Sequence, residues 1–201
     1  TIFDSRVGND YADADEMTSY YNNFLDECIL DKTLGIIIKS KMSRLLSELP
    51  NLESKLLKAK STGRCLVLED ENRHNNWRIN NTFTFFPALA SDLTVSFSIS
   101  TSGTESALAG IRSIYYDHMN QPDHPYYNNG GKDSLIFTNL EKLSSSISEY
   151  RKGNYPLLGD HSKLIDYIDP FQDGRAGERI GQYTSDILGK LNRGCKKDEA
   201  I

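Results

Sequence analysis

Ser91-Asp-Leu-Thr-Val-Ser-Phe-Ser-Ile-Ser-Thr-Ser-Gly-Thr-Glu-Ser-Ala-Leu-Ala-Gly-Ile-Arg-Ser-Ile-Tyr-Tyr-Asp117 compresses a strand, a turn of small residues, a helix and a second strand into one unit. Leu93 to Phe97 are β-prone and mostly apolar. Ser100-Thr-Ser-Gly103 supplies small side chains and N-cap hydroxyls, and a helix beginning at Glu105 to Ala109 ends at Gly110. The free N–H groups at such a helix start attract an anion, so this corner reads as a phosphate-binding turn of a parallel α/β sheet.

The same alternation continues on both sides of that unit. Tyr20, Tyr21, Phe24, Leu25, Cys28 and Ile29 recur at helical spacing within Met17 to Leu30, and Ile36-Ile-Ile38 is a short buried strand ending at Lys39-Ser-Lys41. Met42 to Lys60 is helical again, with Pro50 dividing it into two helices. Cys65 to Leu68 is the next strand, Glu69 to Asn81 is polar, and Thr82 to Ala90 fits a helix. His118 to Lys132 is a long loop rich in Pro, Asn, Asp and Gly. Ser134 to Phe137 then reads as a strand, Leu140 to Tyr150 as a helix and Gly174 to Leu191 as a terminal helix. Short apolar strands alternating with helices predict an α/β fold, a Rossmann-like parallel sheet with helices on both faces. Residues 1–16 are acidic and show little periodicity, so they are expected to be an extension or linker. Residues 17–193 then form the lobe and 194–201 a tail.

With 201 residues, 38% of them hydrophobic, the chain is long enough to bury a substantial core. A net charge of −5 argues against a general nucleic-acid binder or a binder of anionic membranes. Cys28, Cys65 and Cys195 are odd in number and lack metal-ligand spacing, which fits a reducing cytoplasm, and no aliphatic run approaches the ~20 residues of a membrane span. A start at Thr1 rather than Met suggests a lobe cut from a longer protein, or a processed chain.

Ligands of open α/β sheets bind outside the carboxyl ends of the strands. Lys39 and Lys41, Glu69 and Asp70, and Ser98 to Glu105 all fall on that rim. The Ser/Thr/Gly turn can hold a diphosphate, Lys39 or Lys41 can add charge-assisted contacts, and Glu105 can accept from ribose hydroxyls. The plainer alternatives are that the turn only caps a helix, that Glu105 only answers the helix dipole, and that the lysines are solvated. Neither GxxxxGK[ST] nor GxGxxG occurs, which removes the usual support for a P-loop or dinucleotide-binding reading. Arg175 and Arg179 lie one helical turn apart, a spacing that suits an anion clamp and equally suits surface salt bridges. His161 is a candidate general acid or base in a polar loop, where a histidine is commonly not catalytic. His74, His118 and His124 lie in loops without ligand spacing, and no metal is assigned.

The ordered set of features resembles the C-terminal lobe of a GT-B fold glycosyltransferase of the bacterial surface-polysaccharide type. Gly35-Ile-Ile-Ile-Lys-Ser-Lys41, Arg64-Cys-Leu-Val-Leu68, Ala90-Ser-Asp-Leu-Thr-Val95, Ser100 to Gly110, Ile114-Tyr-Tyr-Asp117 and Asp169-Pro-Phe-Gln-Asp-Gly-Arg-Ala-Gly-Glu-Arg-Ile180 carry the resemblance, over roughly Met17 to Leu191. The last stretch is similar to a motif of capsule and O-antigen (lipopolysaccharide) proteins. By that resemblance Ser100, Thr101, Ser102, Gly103 and Thr104 face the phosphates of a nucleotide-sugar donor, with Lys39 and Lys41 beside them. Glu105 faces the ribose, and Leu68 to Asp70, Glu69 included, face the base. The implied activity is transfer of a sugar from a nucleotide-sugar to a glycan or lipid-linked acceptor, with no cofactor. An upstream lobe would hold the acceptor and the catalytic group. The expected location is the cytoplasm, at the inner face of the bacterial membrane. Two other readings stay open: a sugar-nucleotide epimerase or hydrolase on the same fold, and a non-catalytic interaction module.

Overall fold

A computed structural model describes residues 1–5, 13–42, 45–68 and 83–197. The chain divides into two compact units, Thr1–Leu164 and Ile165–Ile201. In the first, β1 (Ile2–Phe3), β2 (Ile36–Lys39), β3 (Cys65–Val67), β4 (Leu93–Phe97), β5 (Arg112–Tyr116) and β6 (Ile136–Phe137) form one all-parallel sheet in the order β3-β2-β1-β4-β5-β6. Its helices are α1 (Ala14–Leu30), α2 (Leu45–Glu48), α3 (Glu53–Ser61), α4 (Phe85–Leu89), α5 (Thr101–Leu108) and α6 (Leu140–Arg151). This is the doubly wound, Rossmann-like arrangement that the alternating pattern predicts. The second unit carries α7 (Ile165–Ile168) and α8 (Ala176–Asn192), so the terminal helix expected to complete the lobe falls outside the first unit.

The expected extension over residues 1–16 is corrected by the sheet itself. Ile2 pairs with Ile38 and Val95, and Phe3 with Lys39 and Ser96, so the segment begins with a strand at the centre of the sheet. Both side chains are buried. Two residues carry no periodicity, and only pairing on both sides makes them a strand. The first helix also starts earlier than Met17: the Asp13 carboxylate accepts the Asp15 N–H at 3.2 Å, and Asp15 and Glu16 favour the positive end of the helix.

Registered residues of parallel strands share a face, and successive residues alternate. Ile38, Ile2, Val95 and Ile114 therefore face one side, where α1 buries Met17, Tyr20, Tyr21, Phe24, Leu25 and Cys28. Each such side chain removed from water contributes about 1.5–3 kcal/mol, which makes this the main core. Tyr20 packs edge-on to Phe97 and Phe24, and its hydroxyl sits within 3.3 Å of the Phe3 carbonyl and 3.1 Å of the Val95 carbonyl. Lys39, Phe3, Ser96 and Tyr115 face the other side, where α5 lies. Beneath α5 the fully buried side chains are Tyr115 and the small polar Thr94, Ser96 and Ser113.

Helix α5 starts at Thr101 rather than Glu105, so Thr101, Ser102 and Gly103 are its first turn and not a turn ahead of it. It stops where expected, at Gly110 with φ +79°.

Candidate functional site

The chain leaves β1 toward β2 and leaves β4 toward β5, so the neighbouring carboxyl ends of β1 and β4 open a crevice at the reversal of strand order. Five pieces of backbone meet at this rim: the residues after β1, β2, β4 and β5, and the start of α5.

Asp4 follows β1 directly and is 5% exposed. Its Oδ1 accepts the Lys41 backbone N–H and its Oδ2 the Tyr21 hydroxyl, each at 2.6 Å. Burial raises its pKa above the usual aspartate value, and hydrogen bonds from Ser40, Tyr21 and Lys41 and the charge of Lys39 oppose that rise. Lys39 ends β2, is buried on the α5 side, and donates to the Ser40 carbonyl at 3.5 Å. Burial lowers its pKa, while the charges of Asp4 and Glu105 act in the opposite direction. The fold thus brings Lys39 and Glu105, 66 positions apart in the chain, into one electrostatic neighbourhood. Lys41 is exposed, and its main-chain N–H is engaged by Asp4.

After β4 the chain turns sharply. Ser98 has φ +63°, a left-handed conformation that costs a non-glycine residue about 1–3 kcal/mol, and its N–H is held by the Tyr116 carbonyl at 2.8 Å. Strain of this kind commonly accompanies ligand sites. Ser100 occupies the N-cap position in an extended conformation, but its hydroxyl makes no capping bond and is buried without a partner. The α5 ladder begins with Thr104 N–H to Ser100 C=O at 3.3 Å. The N–H groups of Thr101, Ser102 and Gly103 therefore have no acceptor inside the helix, which is the arrangement that binds anions. Thr101 and Glu105 are exposed.

Two residues of this turn take a different role from the one the sequence suggests. A Cβ on Gly103 would lie 2.3 Å from Tyr115 Cε1, so this glycine lets α5 approach β5. The Thr104 hydroxyl turns to the Tyr126 hydroxyl at 2.9 Å and the Tyr115 hydroxyl at 3.4 Å. Of the contacts expected from these two, the Gly103 main-chain N–H is the one left open, since it has no acceptor within the helix.

Asp117, after β5, is 1% exposed and accepts from the Gln121 N–H and the Tyr127 hydroxyl, both at 2.7 Å. His118 lies on the Phe97 ring at 4.5 Å between centroids, with Nδ1 buried and unpartnered. The Tyr116 hydroxyl donates to Glu16 of α1. The sequence places Tyr116 and Asp117 only within the stretch that carries the resemblance, and His118 only as a loop histidine without ligand spacing, and it gives none of them a site role. Ile2-Phe3-Asp4 and Tyr115-Tyr116-Asp117 share a signal that could have found the two acids: a pair of large apolar residues followed at once by aspartate.

His161 is 4% exposed, which leaves no surface for a substrate to reach. Its Nδ1 meets the Gly159 carbonyl at 3.2 Å, and its ring stands edge-on to Tyr115 and Tyr126. It is a packed interior histidine. In the second unit Arg175 pairs with Glu178 at 2.7 Å, and Arg179 pairs with Asp173 at 2.9 Å while lying 3.8 Å over the Phe171 ring. These are exposed pairs, the arrangement that spacing alone left as the alternative to an anion clamp. Glu69 and Asp70 lie outside the described residues.

Among the described residues no group of three or more His, Cys, Asp or Glu side chains is placed to hold a metal ion, and no helix is long and apolar enough to cross a membrane. A cavity of about 570 Å³ opens at the opposite, amino end of the strands, lined by Leu34, Ile36, Arg64, Leu93 and Arg151 among others. Its two arginines are already satisfied: Arg64 bonds the Leu34 and Cys28 carbonyls, and Arg151 bonds Asp31 and Thr33. At the rim, by contrast, Ser100 Oγ and His118 Nδ1 are buried without a partner and the first amides of α5 are free of the helix ladder. No protein-family model matches the chain, and no curated protein or solved structure is significantly similar to it.

Proposed function

We propose that the chain is the donor-binding lobe of a glycosyltransferase that moves a sugar from a nucleotide-sugar to a bacterial surface glycan, working in the cytoplasm at the inner face of the membrane. The observation that carries this reading is the rim itself. Lys39, on the face of the sheet that α5 covers, lies within the fields of Asp4 and Glu105, and α5 begins with free amides at the crossover of a β3-β2-β1-β4-β5-β6 sheet. Amide dipoles and an ammonium group suit a diphosphate. Glu105, exposed on the second turn of α5, suits ribose hydroxyls.

Sugar transfer from such a donor leaves negative charge on the departing nucleotide. Donors already aimed at that charge stabilise the transition state more than the ground state. Thr101, Ser102 and Gly103 would contribute main-chain N–H groups, and Lys39 with Lys41 positive charge. The acceptor and the group that activates it belong to an upstream lobe.

Calorimetric titration with UDP, GDP, CMP and CDP tests the reading. Binding of one nucleoside diphosphate with affinity well above that of its nucleoside is expected. Equal affinity for both would remove the phosphate from the site. Binding of none would leave the non-catalytic module, and release of free nucleotide from a nucleotide-sugar without acceptor would favour the epimerase or hydrolase.

A further inference from the structure

We infer that Asp4 is a positioning residue of this rim, and that its carboxylate sets where the Lys39–Lys41 segment presents its cationic and main-chain groups to a diphosphate. The inference rests on the donor-site reading for the identity of the ligand, but its geometric basis is separate. Phe3 pairs in register with Lys39, so the residues that follow, Asp4 and Ser40, leave their strands side by side. One carboxylate oxygen takes the Lys41 N–H and the other takes the Tyr21 hydroxyl, both at 2.6 Å. Both bonds are short, and they hold the carboxyl group from two directions.

The anchor behind Asp4 is rigid. Tyr21 is fully buried in the main core and stands edge-on to Tyr20 at 5.8 Å, and Tyr20 in turn meets the carbonyls of β1 and β4. Asp4 therefore couples a fixed point on α1 to a loop amide 37 positions further along the chain. On the far side of the crevice Asp117 takes a loop amide, Gln121 N–H, and a tyrosine hydroxyl, Tyr127, both on its Oδ2 and both from residues close to it in the chain. Burying a carboxylate costs several kcal/mol, so a residue at this place with no task beyond filling space would be apolar. A neutral asparagine can keep the Lys41 N–H bond through its oxygen, while its amide donates to the Tyr21 oxygen and so reverses the direction of the second bond. Position and charge can thus be separated by mutation.

The test compares wild type, Asp4→Asn, Asp4→Ala and Tyr21→Phe, with inorganic pyrophosphate and uridine as probes in calorimetry and backbone amide exchange read at residues 39–41. Asp4→Ala is expected to weaken pyrophosphate binding about tenfold and to speed exchange at Lys41. Tyr21→Phe should do so about threefold, and Asp4→Asn should restore both readouts to near wild type. Uridine binding should not change. Should Asp4→Ala fail to fold, Tyr21→Phe carries the comparison, since it keeps the ring and removes one bond. Unchanged Lys41 exchange in a folded Asp4→Ala or Tyr21→Phe overturns the inference, as does Asp4→Asn binding pyrophosphate as weakly as Asp4→Ala. If wild type binds neither pyrophosphate nor any nucleotide, the donor-site reading fails separately, and the exchange data alone decide whether Asp4 fixes the segment.

Discussion

Replacing Gly103 by alanine should destabilise the first unit by about 2 kcal/mol. The added Cβ would sit 2.3 Å from Tyr115 Cε1 and 2.9 Å from both Tyr115 Cζ and Ser113 Oγ, whereas ordinary contact begins at 3.4 Å. The shortfall at Cε1 is 3.4 − 2.3 = 1.1 Å. Tyr115 cannot turn aside, because its ring is fully buried, faces Tyr126 and His161, and its hydroxyl meets Thr104. The alternative is for α5 to lift from β5. Overpacking of this kind costs about 1–3 kcal/mol, and an overlap above an ångström belongs at the upper end. Alanine returns about 1 kcal/mol in helix propensity, which leaves the stated net cost. Urea unfolding followed by far-ultraviolet circular dichroism would measure it, and the melting temperature should fall by roughly 4–8 °C. The double variant Gly103→Ala/Tyr115→Leu should be more stable than the sum of the two single changes, because the shared clash is gone. A Gly103→Ala protein as stable as wild type, with weakened nucleotide binding, would refute the packing argument and return this glycine to the ligand.

Glu105→Ala should weaken nucleotide binding about tenfold with little change in melting temperature, as loss of one charged hydrogen bond implies, and the reverse pattern would make Glu105 a helix-end residue only. Arg175→Ala should change stability by less than about 0.5 kcal/mol, since its partner Glu178 is exposed. Titration should show a greater loss for the diphosphate portion than for the nucleoside if the anion clamp exists, and equal losses would dismiss it. Burial lowers the pKa of His161 below its ordinary 6.5, so the folded chain binds fewer protons than the unfolded one as pH drops past that value. Its contribution to stability is then full above pH 6.5 and is lost as acid charges the ring. Denaturation between pH 7.5 and 5 should show a decline that His161→Gln reduces, by at most about 1.4 kcal/mol per pH unit. An unchanged slope would assign the decline to other groups.

The sheet was legible wherever a strand was long enough to carry its own pattern. Leu93 to Phe97 and Ile36 to Lys39 announce themselves by β-branched and apolar residues, and Gly110 marks the end of α5 because only a left-handed residue closes the helix there. Ile2-Phe3 could not be read, since its identity as a strand comes from β2 and β4 on either side, and Asp4 went unread with it. The start of α5 was displaced for a related reason. Ser, Thr and Gly favour turns locally, yet here they form the first helical turn because Gly103 fits against Tyr115, a contact made through tertiary packing. At the rim, Lys39 and Glu105 could be placed by the rule that ligands meet the carboxyl ends of strands. Asp4 and Asp117 carry one faint mark in the sequence, an aspartate directly after two large residues, but Tyr21 and Tyr127, which satisfy them, reach them only in the fold.

The phenol of Tyr20 has a single proton to share between the Phe3 and Val95 carbonyls, one on each strand beneath the crevice. Spreading those strands would strand one carbonyl in the dry interior. Whatever accommodation a guest requires must therefore come from the loops above, with the floor acting as a fixed gauge of the opening between them.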